Sequence, residues 1–160
     1  MSITKNEKKL LVLNINEINF QYLKKGAKKL KCKNINFFFK DKKKIKTLSE
    51  DKIQDKNLDP WVQSVSISLG KPSNYHKIFK SGQTIKKVEN QIWDILASKK
   101  ISCSVWGPMN SLYKPNENLK LYFPDPWNHK AVAHPKSLSY FLNLAKYYGA
   151  NYTDFYNFKF

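Results

Sequence analysis

Residues 58–76, with the sequence LDPWVQSVSISLGKPSNYH, place the strongest limits on what this chain can fold into. Asp59 stands where a helix N-cap is expected, Pro60 at the first helical position and Gly70 just past the end, which is the usual asymmetry of helix termini. Apolar residues between positions 65 and 69 also alternate with serines, as they do in a half-buried strand. Because a strand requires neither Asp-Pro before it nor Gly after it, these signals favour a helix, whose amino end is a natural anion site.

The hydrophobic patterns elsewhere predict one α/β domain over residues 1–160, with a mostly parallel sheet flanked by helices. Short apolar runs indicate buried strands, and apolar residues three to four positions apart indicate helices that bury one face. We expect strands at 9–16, 45–48 and 101–106. We also expect one helix that begins at residue 18 and three more at 34–40, 88–96 and 137–147. The segment 119–127, in which Pro124 and Pro126 bracket Asp125, is assigned no strand.

The large positive charge of the chain is only weak evidence for a nucleic-acid partner. The formal net charge is +17, but all 29 basic residues are lysines and there is no arginine. Proteins that recognise bases and phosphates rely on arginine, whose planar group makes bidentate hydrogen bonds. We therefore expect no specific nucleic-acid partner and interpret the charge as a property of the surface. The 4 Trp, 9 Tyr and 10 Phe residues exclude a disordered chain.

The cysteines and the lack of long apolar segments set the expected environment. Cys32 and Cys103 belong to no metal-spaced cluster and are expected to be free thiols. The start, MSITKNEKK, has no secretory signal, and no segment approaches the roughly 20 apolar residues of a membrane span. These features predict a cytoplasmic protein without a membrane span. The aromatic-rich tail at 152–160 predicts packing against a partner.

Acidic residues at the junctions between predicted elements are the candidate functional groups. Glu17 follows the predicted first strand, and Asp59 stands at the amino end of the helix described above. Because ligands of open α/β sheets bind at the carboxyl ends of strands, we expect both carboxylates at one edge. Glu17 is equally explained as a first-turn carboxylate that the helix dipole favours. His129 and His134 could share a metal only if their loop folded back on itself.

The chain carries none of the common nucleotide-binding or hydrolase signatures, such as G-x-G-x-x-G, the P-loop, H-E-x-x-H or G-x-S-x-G. It has instead six segments in a characteristic order: LLVLNINEINF (10–20), TLSE (47–50), LDPWVQSVSISLGKPSNYH (58–76), QIWDIL (91–96), VWGPMNS (105–111) and FPDPW (123–127). Together they resemble the amino-terminal half of the alkaline-phosphatase-like superfamily. The nearer branch is similar to the type I phosphodiesterase/nucleotide pyrophosphatase and sulfatase-like proteins. The resemblance covers nearly the whole chain from residue 9 and rests on the order and spacing of these segments.

The resemblance implies a hydrolase that binds two divalent metals, usually zinc, at the carboxyl edge of its sheet. Such proteins attack phosphate or sulfate esters with a residue at a helix amino terminus. The resemblance places the first metal ligand at Glu17, where Asp is usual, and the nucleophile at Asp59-Pro60, where active members have Thr, Ser or a modified Cys. Gln63 takes the place of a polar residue that helps to hold the transferred group. His76 matches a histidine with a structural role.

The same resemblance implies that the chain is catalytically incomplete alone. The remaining metal ligands, an Asp-His-Gly segment and a later histidine, belong to the carboxyl-terminal half of these proteins. We therefore expect a truncated or split hydrolase that is inactive alone, binds zinc weakly and requires a second chain for its missing half. Two alternatives stay open: a non-catalytic remnant that binds a partner, and a lysine-rich nucleic-acid or membrane-surface binder.

The role of Asp59 has two interpretations at this point. As an N-cap, its carboxylate would accept hydrogen bonds from the N–H groups of Trp61 or Val62 and would stabilise the helix by roughly 0.5–2 kcal/mol. As a nucleophile, it would need a metal or another cation to offset its repulsion of an anionic ester. The local pattern favours the cap.

Overall fold

The computed structural model describes residues 9–41, 45, 47–49, 51 and 58–151. The chain divides into two compact units, Met1–Thr47 and Leu48–Phe160, which we call the amino-terminal and carboxyl-terminal units. The described residues form six α-helices and two strands: α1 (Phe20–Lys29), α2 (Lys33–Asp41), α3 (Pro60–Leu69), α4 (Ser73–His76), α5 (Ile92–Ser98), β1 (Cys103–Trp106), β2 (Leu119–Phe123) and α6 (Ser139–Ala150). A short 3-10 helix, Lys136–Leu138, precedes α6. No helix in this described part is both long and apolar enough to cross a membrane.

The amino-terminal unit is a pair of packed helices, α1 and α2, which confirms both predicted helices. The side chain of Asn19 caps α1, because its Oδ1 accepts hydrogen bonds from the backbone N–H of Gln21 and Tyr22 at 3.0 and 3.2 Å. Ala27 is buried between the helices, and Asn36 Nδ2 donates to its carbonyl oxygen at 3.1 Å.

The predicted first strand at 9–16 is wrong, because this segment forms neither a strand nor a helix. The side chains of Leu10, Leu11, Val12 and Leu13 are 71–88% exposed. A strand obtains its hydrogen bonds from a neighbour, and no neighbour pairs with this segment among the described residues. The short strand predicted at 45–48 is likewise absent at its described positions, 45, 47 and 48.

Helix α3 confirms the helical interpretation of residues 58–76 against the strand alternative. It runs from Pro60 to Leu69 and buries Val62, Val65 and Ser68, which lie three residues apart on one face. Gly70 ends the helix in the left-handed region at φ 65°, and its N–H donates to the carbonyl oxygen of Ser66. This backbone conformation is the one that glycine adopts without steric cost.

The sheet consists of β1 and β2, which pair in parallel. This confirms an α/β protein with a parallel sheet flanked by helices, although the sheet is much smaller than expected. β1 confirms the strand predicted at 101–106, whereas β2 lies in the segment that was assigned no strand. One apolar cluster joins Trp93 and Ala97 of α5 to β2, and a second joins Phe123 to Leu142 of α6.

The two later helices differ from their predicted bounds by a few residues. α5 begins at Ile92 instead of residue 88, because Gln91 and Asp94 form a capping box that fixes the start. α6 begins at Ser139 after a 3-10 turn and ends at Ala150, within three residues of each predicted bound of 137–147. The aromatic tail at 152–160 lies outside the described residues.

Candidate functional site

The amino end of α3 is tied to the loop that follows β1. Asn110 in this loop is 2% exposed, and its Nδ2 donates hydrogen bonds to the carbonyl oxygens of Trp61 at 3.2 Å and Lys80 at 3.0 Å. Trp61 lies in the first turn of α3, and the loop begins at Gly107, directly after the carboxyl end of β1. The carboxyl end of a parallel strand and the amino end of a helix are therefore joined through one buried side chain.

The loop after β1 is itself held by a second set of buried polar contacts. Ser111 Oγ donates to the carbonyl oxygen of Pro108 at 3.0 Å and lies 2.5 Å from the hydroxyl of Tyr122 on β2. Asn128 Nδ2 donates to the carbonyl oxygen of Ser111 at 2.9 Å. Burial raises the pKa of Tyr122, so its hydroxyl stays protonated and able to donate. These contacts make the loop a rigid support for Asn110.

Asp59 precedes α3 but does not cap it with its side chain, which corrects the predicted cap. Its backbone carbonyl accepts the N–H groups of Val62 at 2.9 Å and Gln63 at 3.0 Å instead. Val62 is one of the two donors that the carboxylate was expected to bind, so this donor is already satisfied by the backbone. The half-buried carboxylate therefore stands at the amino end of the helix without serving as its cap.

Gln63 lies one turn into α3 and is held by two side chains of the segment that precedes the helix. Its Nε2 donates to Asp51 Oδ2 at 2.7 Å, and Ser49 Oγ donates to its Oε1 at 3.2 Å. The opposite oxygen of Asp51 accepts hydrogen bonds from both the backbone N–H and the hydroxyl of Ser73. Burial alone would raise the pKa of Asp51, but the hydrogen bonds from Ser73 and Gln63 outweigh burial and hold this pKa below its ordinary value.

His76 is buried where α4 meets α3. Its Nδ1 accepts the backbone N–H of Ile78 at 3.0 Å, and its Nε2 lies 3.0 Å from Ser66 Oγ. Burial lowers the pKa of His76, and the nearby carboxylate of Asp51 offsets part of this effect. These contacts hold the ring of His76 between α3 and the segment that follows α4.

Glu17 lies in the amino-terminal unit, in a turn before α1, where its φ of 56° falls in the left-handed region. It is exposed and lines an apolar groove of about 450 Å³ with residues of α1 and α2. Asp59 and Gln63 belong to the carboxyl-terminal unit. The assignment of Glu17 as a metal ligand therefore stays a prediction.

The donors in the described part of the chain do not form a metal site. No group of three or more His, Cys, Asp and Glu side chains comes together within residues 9–41, 45, 47–49, 51 and 58–151. Cys32 and Cys103 are free, half-buried thiols, and His134 stacks on Tyr113 with ring centroids 5.2 Å apart. Zinc takes three or four such ligands from a protein, so the donor set that zinc needs is incomplete in this part of the chain.

Asn110 is not among the candidate site residues predicted from the sequence. The signal that could have found it is an asparagine two positions after Pro108, because Asn is among the few residues that tolerate a positive φ, here 51°. Comparisons of the chain with family models, with curated proteins and with solved structures find no match.

Proposed function

We propose that this chain is the amino-terminal part of a metal-dependent phosphate-ester or sulfate-ester hydrolase of the alkaline-phosphatase-like type, and that it is inactive by itself. The observation that supports the proposal is the pair of hydrogen bonds from Asn110, one of which ends on Trp61 in the first turn of α3. Ligands of parallel α/β sheets bind beyond the carboxyl ends of strands, and anions bind at the amino ends of helices. The loop after the carboxyl end of β1 and the amino end of α3 are joined here by Asn110.

Asp59 is the proposed nucleophile of this site. Its carboxylate makes no capping hydrogen bond, so the alternative role as a helix cap lacks the contact on which it depends. A carboxylate can attack phosphorus and form a covalent acyl phosphate while the bond from phosphorus to the ester oxygen breaks and the alcohol leaves with a proton from solvent. Water then cleaves the acyl phosphate, which releases the phosphate and restores the carboxylate. Because an anionic ester repels a carboxylate, this chemistry requires a cation, and we assign that charge to metal ions that side chains of a second chain would hold.

Gln63 is proposed to help hold the transferred group. Its amide is fixed in one orientation, with the nitrogen directed to Asp51 and the oxygen to Ser49. A polar group whose rotamer is already fixed loses little freedom when it binds, which is the advantage of a preorganised site. The chain thus supplies the helix and its polar side chains, and a carboxyl-terminal partner supplies the metal centre.

The experiment that tests the proposal measures hydrolysis of bis-p-nitrophenyl phosphate and p-nitrophenyl sulfate in the presence of zinc. The full chain is assayed alone and together with the product of a neighbouring reading frame that carries Asp-His-Gly and a later histidine. We expect turnover only for the pair, and loss of turnover in Asp59→Asn. The matched control is Glu117→Gln, which changes an exposed carboxylate outside the site and should leave turnover intact.

Turnover that survives in Asp59→Asn would overturn the assignment of the nucleophile. A pair that binds but shows no turnover would overturn the hydrolase. That second result would favour the other candidate, a non-catalytic partner-binding module. The exposed apolar side chains from Leu10 to Leu13 support this candidate, because contiguous apolar surface of this kind marks protein contacts.

A further inference from the structure

The segment from His76 to Lys80 connects α4 with the first turn of α3. Trp61 Nε1 donates to the carbonyl oxygen of Phe79 at 3.2 Å, and the next carbonyl along the chain, that of Lys80, accepts from Asn110 at 3.0 Å. Asn110 also donates to the carbonyl oxygen of Trp61. The backbone of this segment is therefore bonded both to α3 and to the loop after β1.

The contacts of His76 determine which of its ring nitrogens carries the proton. The backbone N–H of Ile78 can only donate, so Nδ1, which lies 3.0 Å from it, must be the unprotonated acceptor. In the neutral ring the proton is then on Nε2, which donates to Ser66 Oγ. Ser66 Oγ in turn donates to the carbonyl oxygen of Val62 at 3.4 Å. Every polar atom in this chain of contacts is satisfied by one tautomer only.

A doubly protonated ring is incompatible with the contact to Ile78. Protonated Nδ1 is a donor, and it would face the N–H of Ile78 donor to donor inside a site where His76 is only 7% exposed. The contact from Nε2 to Ser66 is unaffected, because Nε2 donates in both states. Protonation therefore breaks one specific hydrogen bond, the one that anchors the segment before Phe79.

Among the residues that the structure describes, few charged groups lie near His76. Asp51, which precedes α3, favours the protonated ring and offsets part of the effect of burial on the pKa of His76. α3 presents the uncharged Ser66 to the ring, and Lys77, the next residue along the chain, is exposed. Burial has the larger effect, so protonation is expected below the ordinary pKa of 6.5 and not above it.

We infer that His76 is a pH-sensitive latch. In its neutral form, the ring accepts the N–H of Ile78 and so holds the segment whose Phe79 carbonyl binds the first turn of α3. Protonation of the ring opens the contact with Ile78. Opening frees the N–H of Ile78 and loosens the bond between Phe79 and Trp61. The contacts at the amino end of α3 thus depend on the protonation of His76, the last residue of α4. The latch lies within the carboxyl-terminal unit and does not depend on the hydrolase proposal.

Nuclear magnetic resonance of the full chain tests the latch. The amide signal of Ile78 and the indole N–H signal of Trp61 are followed from about pH 8 to about pH 5, a range in which histidine is the main side chain that titrates. We expect both signals to move with one common midpoint below 6.5, the ordinary pKa of histidine. Trp61→Phe assigns the indole signal.

His76→Asn is the decisive variant, since an asparagine oxygen can accept the N–H of Ile78 in place of Nδ1 but does not titrate. It should keep both signals at their neutral-pH positions throughout the range. The matched control, His129→Asn, removes an exposed histidine and should leave the pH response unchanged. Signals that fail to move in the natural chain, or that still move in His76→Asn, would overturn the latch.

A second measurement decides the question if His76→Asn does not fold. The ¹⁵N shifts of the imidazole ring in the natural chain at about pH 8 report its tautomer directly. We expect an unprotonated Nδ1 and a protonated Nε2. The opposite tautomer would mean that Nδ1 does not accept from Ile78, and the latch would have no physical basis.

Discussion

Asn110 and Trp61 lie 49 residues apart in the sequence, yet the side-chain nitrogen of Asn110 donates to the backbone carbonyl of Trp61 at 3.2 Å. This bond joins the loop after β1 to the first turn of α3. A second bond from the same nitrogen, to the carbonyl oxygen of Lys80, brings a third segment to the same point. The candidate site is thus assembled around one buried amide.

Substitution of Asn110 should destabilise the chain through two separable effects. Asn110→Gly keeps the positive φ but removes the two hydrogen bonds to the carbonyl oxygens of Trp61 and Lys80, which should cost about 1–3 kcal/mol of unfolding free energy. Asn110→Ala adds the strain of a left-handed alanine, about 1 kcal/mol more. Urea denaturation measures both variants. Equal stability of the glycine and alanine variants would contradict the positive φ of 51°.

The contact between Ser111 and Tyr122 predicts an asymmetric pair of variants. Ser111→Ala leaves the fully buried hydroxyl of Tyr122 unpaired, whereas Tyr122→Phe leaves Ser111 still bonded to the carbonyl oxygen of Pro108. An orphaned buried group costs about 1–3 kcal/mol, so Ser111→Ala should be the more damaging change. The midpoints of chemical denaturation rank the two variants. A larger loss in Tyr122→Phe would show that the proposed donor directions are reversed.

Asp59 should contribute little to stability, because its carboxylate makes no capping bond. We expect Asp59→Ala to change the free energy of unfolding by less than about 0.5 kcal/mol, as is usual for surface substitutions without a special role. The comparison is Asn19→Ala, which removes an exposed side chain that caps α1 and should cost roughly 0.5–2 kcal/mol. If Asp59→Ala costs as much as Asn19→Ala, the carboxylate caps α3 after all.

The stability of the carboxyl-terminal unit should fall as the pH falls, in two separate ranges. The folded state lowers the pKa of His76, so the unfolded chain binds its proton first, and the stability present above 6.5 is lost as the pH falls through the folded-state pKa. The lowered pKa of Asp51 acts in the same direction but only below 3.8. Urea midpoints across this range measure both losses. His76→Asn should remove the first loss and keep the second.

The full chain by itself should bind zinc only weakly and should not hydrolyse phosphodiesters or sulfate esters. The described residues contain no group of three metal-binding side chains, and zinc sites in proteins use three or four. Calorimetric titration measures the affinity, with Glu17→Ala as the comparison. Tight binding of zinc in a fixed ratio, together with turnover that Glu17→Ala abolishes, would show that this chain holds a complete metal centre.

The contrast between α3 and the segment at 9–16 shows why one local prediction succeeded and another failed. α3 is set by local features: Pro60 starts it, Gly70 ends it, and its internal hydrogen bonds need no other part of the chain. The segment at 9–16 has the composition of a buried strand, but it forms none. A strand needs a paired neighbour, and composition cannot supply one. β2 was missed for the opposite reason, since flanking prolines concealed a strand that pairs with β1.

The sequence by itself determined the helices α1, α2, α3 and α6 and the strand β1, because these depend on periodicity and on the residues at helix ends. Only the tertiary structure decided the contacts of the site. Asn110 reaches Trp61 across 49 positions, and Asp51 reaches Ser73 across 22, so no local pattern records either bond. Hydrogen bonds of this kind form where buried polar groups must find partners, and the folded chain alone determines which partners are within reach.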